Sequence, residues 1–371
     1  MGAAPDADLY GDAGSDTFGH VIDATGVGLP NLERLGLLRA AGRSGGRSVG
    51  AWGKMREVSA GKDSTTGHWE MMGLATARPF PVYPRGFPKE VLDPIEREAG
   101  VRFLGNRPAS GTGILGELGA EHLATGRPIL YTSADSVFQV AAHEDVVPPG
   151  RLWEICAIAR RHLDGTHAVG RVIARPFTGR PGAFRRTERR RDFSLAPPGE
   201  TLLDRAVAAG RRTYGIGKIS DLFAGRGISA SSYSSSDADG IARTLGRLRE
   251  ADDDLIFANL VDFDSKYGHR SDAAGFAENL ARLDGAIPSL RDALADGDLL
   301  FLTADHGCDP CDVSTDHTRE WVPLLAAGNR VREGAELGAR ATFADLAATI
   351  GEWLGLPAPG AGTSVLPALL A

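Results

Sequence analysis

The sequence predicts an α/β protein with a doubly wound, mostly parallel sheet. Apolar strand segments alternate with helical segments over the second half of the chain, which is the pattern of such a sheet. Two of these strands, 255–261 and 299–302, lead directly into acidic residues and histidines. In the first half, proline-rich turns set off a further segment with its own strand and helix patterns. We therefore expect a sheet core with an inserted α+β cap domain.

Two linkers delimit the insertion, Pro-Phe-Pro-Val-Tyr-Pro-Arg-Gly at 79–86 and Ala-Pro-Pro-Gly at 196–199. We predict a discontinuous metal-binding catalytic core at 1–80 and 196–371, with the cap domain at 81–195. A chain of 371 residues is too large for one typical core, which agrees with two domains. The pattern predicts helices over 88–99, 150–162, 201–209 and 343–354, and strands over 128–132, 168–174 and 212–217.

Composition and charge argue against several classes of protein. The formal net charge of −7 gives no basic character that would suggest nucleic acid binding. No apolar run approaches the ~18 residues of a membrane span, so we predict no membrane partner. Three cysteines do not form a disulfide framework, and they fit a reducing cytoplasm. We predict no protein partner.

Acidic residues and histidines follow two of the predicted strands. Asp305 and His306 come after 299–302, and Asp264 and His269 come after 255–261, while His317 lies on a later loop. Ligands of open α/β sheets bind at the carboxyl ends of strands. Imidazole and carboxylate ligands without thiolate suit manganese or zinc. The alternative for the first pair is a hydrogen-bonded turn without a metal.

Three consecutive hydroxyl groups, Ser64, Thr65 and Thr66, lie between a Lys-Asp pair and a Gly-His pair. A hydroxyl is a poor nucleophile unless a base or a metal ion activates it. The structural alternative is a helix N-cap, which serine and threonine commonly provide. Both can hold together, because a helix N-terminus also directs backbone N–H groups towards an incoming phosphate.

Three motifs together resemble phosphopentomutase, a family of the alkaline phosphatase superfamily. They are Lys-Asp-Ser-Thr-Thr-Gly-His-Trp-Glu at 62–70, Val-Asp-Phe-Asp-Ser-Lys-Tyr-Gly-His at 261–269, and Thr-Ala-Asp-His-Gly at 303–307 with Thr-Asp-His-Thr-Arg-Glu at 315–320. The similarity runs nearly end to end and includes 131–136 and 170–177 of the cap. It implies an alkaline-phosphatase-like core.

The resemblance also implies two Mn2+ ions per chain, although other divalent metals are possible. By motif position, Asp264, His269 and His317 would hold one metal. Asp305, His306 and the nucleophile oxygen would contact the other.

Ser64 occupies the position of the family nucleophile, which is usually a threonine. Serine carries the same hydroxyl group, so we expect the chemistry to survive. Thr65 and Thr66 are the alternatives, because the choice depends on motif alignment alone.

For the substrate, the resemblance implies interconversion of ribose or deoxyribose 1-phosphate and 5-phosphate through a phosphorylated enzyme, with a sugar bisphosphate as activator. Lys218 is expected to contact the distal phosphate or the sugar. The cap positions expected to meet the pentose are Ser133, Asp135, Arg171 and Ile173. Their structural alternatives are turn residues and ordinary strand core.

The chain departs from the family at its amino end. Family members begin with an apolar strand that ends in a metal-ligand aspartate, whereas this chain opens Met-Gly-Ala-Ala-Pro-Asp. We hypothesise that a GTG valine codon has been read as the start. The alternative is a true truncation, which would leave a catalytically impaired phosphosugar-binding homologue. In either case we expect the chain as written to have exposed sheet edges and low activity.

Cys308 and Cys311 form a Cys-x-x-Cys pair beside His306. A single pair of this kind is a weak signal for zinc or redox chemistry. We expect both to fill a loop, with some sensitivity to oxidation because of the nearby metals.

Overall fold

The computed structural model describes residues 1–133, 136–357 and 359–370. The chain divides into two compact units, Met1–Arg78 with Pro197–Ala371, and Pro79–Ala196. We call them the core unit and the cap unit. The cap unit begins two residues before the predicted boundary and ends one residue after it.

Helices and strands alternate over most of the chain. The helices are α1 (Thr17–Thr25), α2 (Pro30–Leu35), α3 (Leu37–Ala40), α4 (Ser64–Met71), α5 (Lys89–Ala99), α6 (Gly111–Thr125), α7 (Pro149–His162), α8 (Leu202–Ala208), α9 (Ile219–Leu222), α10 (Asp237–Glu250), α11 (Ala273–Asp292), α12 (Ala344–Leu354) and α13 (Leu366–Leu369). The strands are β1 (Ala51–Met55), β2 (Leu104–Pro108), β3 (Ile129–Thr132), β4 (Val137–His143), β5 (Arg171–Thr178), β6 (Arg185–Arg186), β7 (Arg191–Ser194), β8 (Thr213–Ile216), β9 (Ala230–Ser232), β10 (Leu255–Ala258), β11 (Leu300–Leu302), β12 (Val322–Ala327) and β13 (Glu336–Arg340).

The strands of the core unit form two sheets, in the orders β11-β12-β1-β13 and β10-β8-β9. Parallel pairing joins β1 to β13, β10 to β8 and β8 to β9, while β12 is antiparallel to both β1 and β11. The predicted α/β class with a mostly parallel sheet is confirmed. Within the described residues, β10 and β11 are not paired with each other.

Helices α1, α2 and α11 pack beside strand β12 through an apolar cluster. Its fully buried members include Leu32, Leu35, Ile287, Leu290 and Leu325. The cluster attaches the beginning of the chain to the late part of the sheet. None of the helices in the described ranges is long and apolar enough to cross a membrane.

The cap unit has a sheet in the order β2-β3-β4-β5-β6, and β7 also pairs with β5. Alternate residues of β4 face opposite sides of this sheet, as strand geometry requires. Phe138 and Val140 pack with α5 and α7 on one side, while Ala141 belongs to a second cluster with Ile114 of α6. The cap unit therefore has helices on both faces of its sheet.

The predicted elements recur in the structure with small shifts at their ends. The largest shift concerns β5, which spans Arg171–Thr178 instead of the predicted 168–174. Its pairing with β4 begins at Val137 opposite Arg171. Just before that point, a short 3-10 helix at Gly165–His167 ends and the backbone N–H of Gly170 donates to the Ser136 hydroxyl. The strand therefore starts where its partner starts.

Candidate functional site

The loops after β10 and β11 bring the predicted ligands together. Asp264 lies in a π-helical turn, Phe263–Tyr267, that follows β10. Its Oδ1 is 3.1 Å from Nε2 of His269 and 3.1 Å from Nε2 of His317. The ring of His317 stacks on that of His306, with 3.9 Å between centroids. Asp305 completes the cluster, because its Oδ2 is 3.4 Å from Nε2 of His306.

Two sets of three side chains in this cluster could each hold a metal ion. The sets are Asp264, His306 and His317, and Asp264, His269 and Cys308, with all ligand atoms of a set within 4.8 Å of one another. Carboxylate oxygen and imidazole nitrogen fit a divalent cation such as manganese or zinc. Cys308 was predicted only to fill a loop, but its thiol lies 3.8 Å from Nδ1 of His269.

The charges within the cluster stabilise one another. Burial raises the pKa of Asp264, but the hydrogen bond with His317 and the nearby imidazoles outweigh it and lower the pKa to about 2. For Asp305, burial likewise opposes His306 and His68, and the net pKa is lowered far below its usual range. Burial lowers the pKa of His306, but the carboxylates of Asp305 and Asp264 raise it overall. The carboxylates are therefore ionised near neutral pH.

Ser64 is the hydroxyl residue that contacts the cluster, since its Oγ lies 3.0 Å from Nε2 of His306. It is the first residue of α4, and Asp63 before it has extended backbone and caps the helix. The hydroxyl of Thr66 donates instead to the main-chain oxygen and the carboxylate of Asp63. The two hydroxyl groups therefore differ in their contacts, since that of Ser64 contacts His306 and that of Thr66 bonds to Asp63.

The cap of α4 corrects one expectation about phosphate binding. The backbone N–H groups of Thr65 and Thr66 already donate to Oδ1 of Asp63. An aspartate at the N-cap satisfies these donors before any external anion can reach them. The role of the helix N-terminus is therefore structural at these two positions.

His68 is a buried member of the site that the sequence analysis did not assign. Its Nδ1 lies 2.8 Å from the carbonyl oxygen of Ser64 and 3.2 Å from Oδ2 of Asp305. The side chain of Asn259 approaches its Nε2 at 3.4 Å. The only signal in the sequence was the Gly-His pair that follows the hydroxyl residues, one helical turn after Ser64.

Arg319 supports the loop before Ser64 from the motif that carries His317. Its guanidinium lies 2.9 Å from Oε2 of Glu57 and donates to the carbonyl oxygens of Ser59 and Gly61. Asp6 provides a second carboxylate at 2.9 Å. Arg319 and Glu57 are both almost fully buried. In the sequence, Arg319 lies in the motif at 315–320, where no local signal indicates this role.

A cavity of about 520 Å3 adjoins the cluster. Its lining includes the polar residues Ser64, His68, Asp305 and Lys218. Lys218 is exposed and precedes helix α9. It therefore adds a positive charge to the lining of the cavity, which also includes Ser64.

Comparisons with known proteins agree with these motifs. The model of the metalloenzyme superfamily matches residues 1–358. A phosphopentomutase of Caldanaerobacter subterraneus subsp. tengcongensis is 52% identical over 99% of this chain and 94% of the relative. The chain belongs to the phosphopentomutase family. Phosphopentomutases of Acetivibrio thermocellus and Carboxydothermus hydrogenoformans are also 52% identical, over 100% and 98% of this chain and 97% and 95% of the relatives.

Membership of the phosphopentomutase family confirms the resemblance drawn from the three motifs. It also shows that the chain is a metal-dependent phosphomutase, which is a type of isomerase. The ligand cluster described above lies at the carboxyl ends of β10 and β11.

The cap positions that the phosphopentomutase resemblance singled out lie on or beside two strands. Ser133 directly follows β3, and Arg171 and Ile173 belong to β5. The guanidinium of Arg171 is 3.9 Å from the carboxylate of Asp192, and the side chain of Ile173 is buried. Asp135 lies outside the described residues. The substrate contacts of all four stay predictions.

Proposed function

We propose that this chain interconverts ribose or deoxyribose 1-phosphate and 5-phosphate, with Ser64 as the residue that carries the phosphoryl group. The observation that carries the proposal is the 3.0 Å contact between Oγ of Ser64 and Nε2 of His306, inside a cluster of carboxylates and imidazoles. Relatives named phosphopentomutase, at 52% identity, support the pentose phosphate as substrate.

The same proposal includes two divalent cations, with Mn2+ as the first candidate. When bound, such ions neutralise charge on the oxygens of a transferring phosphoryl group. The residues that would hold them are Asp264, His269, Asp305, His306 and His317. Asp264, His269, His306 and His317 belong to the two convergent ligand sets, and their atoms suit a divalent cation. Asp305 is supported by its contact with His306 and by a pKa that keeps it ionised at neutral pH.

The chemistry assigned to the chain is a double phosphoryl transfer. A sugar bisphosphate first gives one phosphoryl group to Ser64, so that the P–O bond to the sugar breaks as the bond to Oγ forms. The phosphoserine then transfers this group to a pentose monophosphate, which becomes a bisphosphate. The bisphosphate reorients and transfers its other phosphoryl group to Ser64. Lys218, which lines the same cavity, holds the phosphate that does not react.

A cytoplasmic location is part of this proposal. Its support is that Cys156, Cys308 and Cys311 are all free thiols, as in proteins of a reducing compartment.

The test combines an assay with identification of the phosphorylated residue. The purified chain is incubated with Mn2+ and ribose 1,5-bisphosphate, digested and examined by peptide mass spectrometry, and ribose 1-phosphate conversion is followed in parallel. We expect phosphate on Ser64, and none in the Ser64→Ala variant. Thr65→Ala serves as the matched control and should keep both the phosphate and the activity. Phosphate on Thr65 or Thr66, or conversion by Ser64→Ala, would contradict the assignment.

A further inference from the structure

The turn that carries Asp264 is preceded by a pair of buried aspartates. Asp262 lies directly before the turn, Asp237 is the first residue of α10, and both are almost fully buried. The backbone N–H of Asp262 donates to Oδ1 of Asp237 at 2.8 Å, and that of Asp237 donates to Oδ2 of Asp262 at 3.0 Å. Two reciprocal hydrogen bonds therefore join the start of the turn to the start of α10.

Helix α11 supports this pair through a buried amide. Nδ2 of Asn279 donates to Oδ2 of Asp237 at 2.6 Å, and Asn279 is also almost fully buried. Three residues earlier, the ring of Phe276 packs on that of Phe263 in the turn, with 5.0 Å between centroids. Residues three apart lie on the same face of a helix. One face of α11 therefore contacts the side chain of Phe263 and, through Asp237, the backbone of Asp262.

The Asp237 carboxylate depends on the donors that surround it. Burial raises its pKa, while the backbone N–H groups of Asp262 and Phe263 and the amide of Asn279 oppose this effect. A buried carboxylate that loses a donor is left with an uncompensated cost of desolvation, so it shifts towards water or another donor. The backbone N–H groups that it accepts from belong to the residues directly before Asp264, and they would shift with it.

We propose that Asp237 and Asn279 are positioning residues for Asp264, which hold the turn so that the Asp264 carboxylate stays within the ligand cluster. Oδ1 of Asp264 lies 3.1 Å from Nε2 of both His269 and His317. Residues that orient a metal ligand affect metal affinity without touching the metal. The inference rests on the proposed role of Asp264 as a metal ligand.

The chain offers a matched control for this contact on the same helix. Nδ2 of Asn31 donates to Oδ2 of Asp284 at 3.0 Å, and Asp284 is a buried aspartate of α11. Like Asp237, Asp284 also accepts backbone N–H groups, here those of Asn31 and Leu32. This second pair joins α2 to α11, whereas the first joins the Asp264 turn to α10 and α11. The two pairs therefore make the same kind of bond to different parts of the fold.

The experiment compares Asn279→Leu with Asn31→Leu in the full chain. Each substitution removes one amide donor to a buried aspartate and keeps a side chain of similar volume. Asn279→Ala is made as a second variant, so that the test stands if the leucine prevents folding. Urea unfolding gives stability, calorimetric titration of the folded protein gives Mn2+ affinity, and hydrogen exchange is measured at residues 262–264 of the metal-free protein. Asp264→Asn is titrated alongside as the reference for loss of the ligand.

We expect both asparagine sites to lose stability when substituted, because each variant leaves a buried carboxylate with one donor fewer. Only the Asn279 variants should lower Mn2+ affinity, by about tenfold or more, and speed exchange at residues 262–264. Asn31→Leu should keep its Mn2+ affinity within about twofold of the unmodified chain. Metal affinity and exchange are both measured without reference to mutase activity.

Two results would overturn the positioning role alone. One is normal Mn2+ affinity in the Asn279 variants while Asp264→Asn binds weakly. The other is an equal loss of affinity in Asn31→Leu, which would trace the effect to general destabilisation. Normal Mn2+ affinity in Asp264→Asn would instead refute the proposed ligand role of Asp264, and the positioning role would fall with it.

Discussion

The guanidinium of Arg319 lies 2.9 Å from the buried carboxylate of Glu57 and joins two segments that are 262 residues apart in the chain. The same guanidinium holds the carbonyl oxygens of Ser59 and Gly61, just before the helix that begins at Ser64. Burial raises the pKa of Glu57 well above its usual value, and Arg319 opposes this effect. The position of the loop before Ser64 therefore depends on the positive charge of Arg319, two residues after His317.

Removal of Arg319 should strongly destabilise the protein. We expect Arg319→Leu to lower the free energy of unfolding by about 3–5 kcal/mol, because it leaves the Glu57 carboxylate buried and unpaired. Urea unfolding measures the change, and exposed Arg249→Ala is the control, with an expected effect within about 0.5 kcal/mol. Combined with Glu57→Gln, the loss should be smaller than the sum of the two single variants. Additive losses would contradict the pairing.

His68 should act by positioning Asp305. In His68→Gln, the carboxylate loses the imidazole at 3.2 Å, so we expect metal affinity to fall by about 10–100-fold with little change in stability. Calorimetric titration with Mn2+ gives the affinity. The control is His162→Gln, at a partly exposed histidine of the cap unit that pairs with Glu98. Normal Mn2+ affinity in His68→Gln would show that the contact with Asp305 does not orient a ligand.

His317 should be a metal ligand. His317→Ala removes the imidazole that lies 3.1 Å from Asp264, and we expect both the bound Mn2+ per chain and the activity to fall. Elemental analysis of the dialysed protein measures the metal, with His162→Gln again as control. Unchanged metal content in His317→Ala would refute the assignment.

Metal affinity should rise with pH through the titration of His306. The pKa of this histidine is raised by Asp305 and Asp264 against the effect of burial, so the metal-free protein holds a proton that a cation must displace. Below this pKa, the affinity for Mn2+ should fall by about tenfold per pH unit for one released proton. Titrations between about pH 5.5 and 8.5 cover the range of histidine.

The stability of the metal-free protein should change in the opposite sense. The pKa of His306 is higher in the folded protein than in the unfolded chain. Protonation of His306 therefore contributes fully to the free energy of unfolding below the unfolded-state pKa, and this contribution is lost as the pH rises through the folded-state pKa. Thermal unfolding of the metal-free chain over the same pH range measures this. If the affinity for Mn2+ does not depend on pH, metal binding does not release a proton from His306, and the prediction is wrong.

Cys308 should make the site sensitive to soft metals. Its thiol lies within 4.8 Å of ligand atoms of Asp264 and His269, and thiolate favours zinc and cadmium over manganese. We expect Cys308→Ser to lower Cd2+ affinity by about tenfold or more while Mn2+ affinity stays the same. Cys311→Ser is the matched control, because that thiol is exposed. Equal Cd2+ affinity of the two variants would show that Cys308 does not bind the metal and only fills the loop.

Local patterns in the sequence determined the fold class, the helices α5, α7 and α12, and the five ligand candidates. This was possible because helical periodicity and residues at strand ends leave a signature within a few neighbouring positions. Asp264 and Asp305 could be named in this way, since each follows an apolar strand.

Only the tertiary structure decided which groups meet across long stretches of chain. Ser64 contacts His306 from 242 positions away, and Asp63 occupies the N–H groups that we expected to face a phosphate. The roles of His68 and Arg319 likewise have no local signature. Pairing and burial depend on packing in space, which no short stretch of sequence contains.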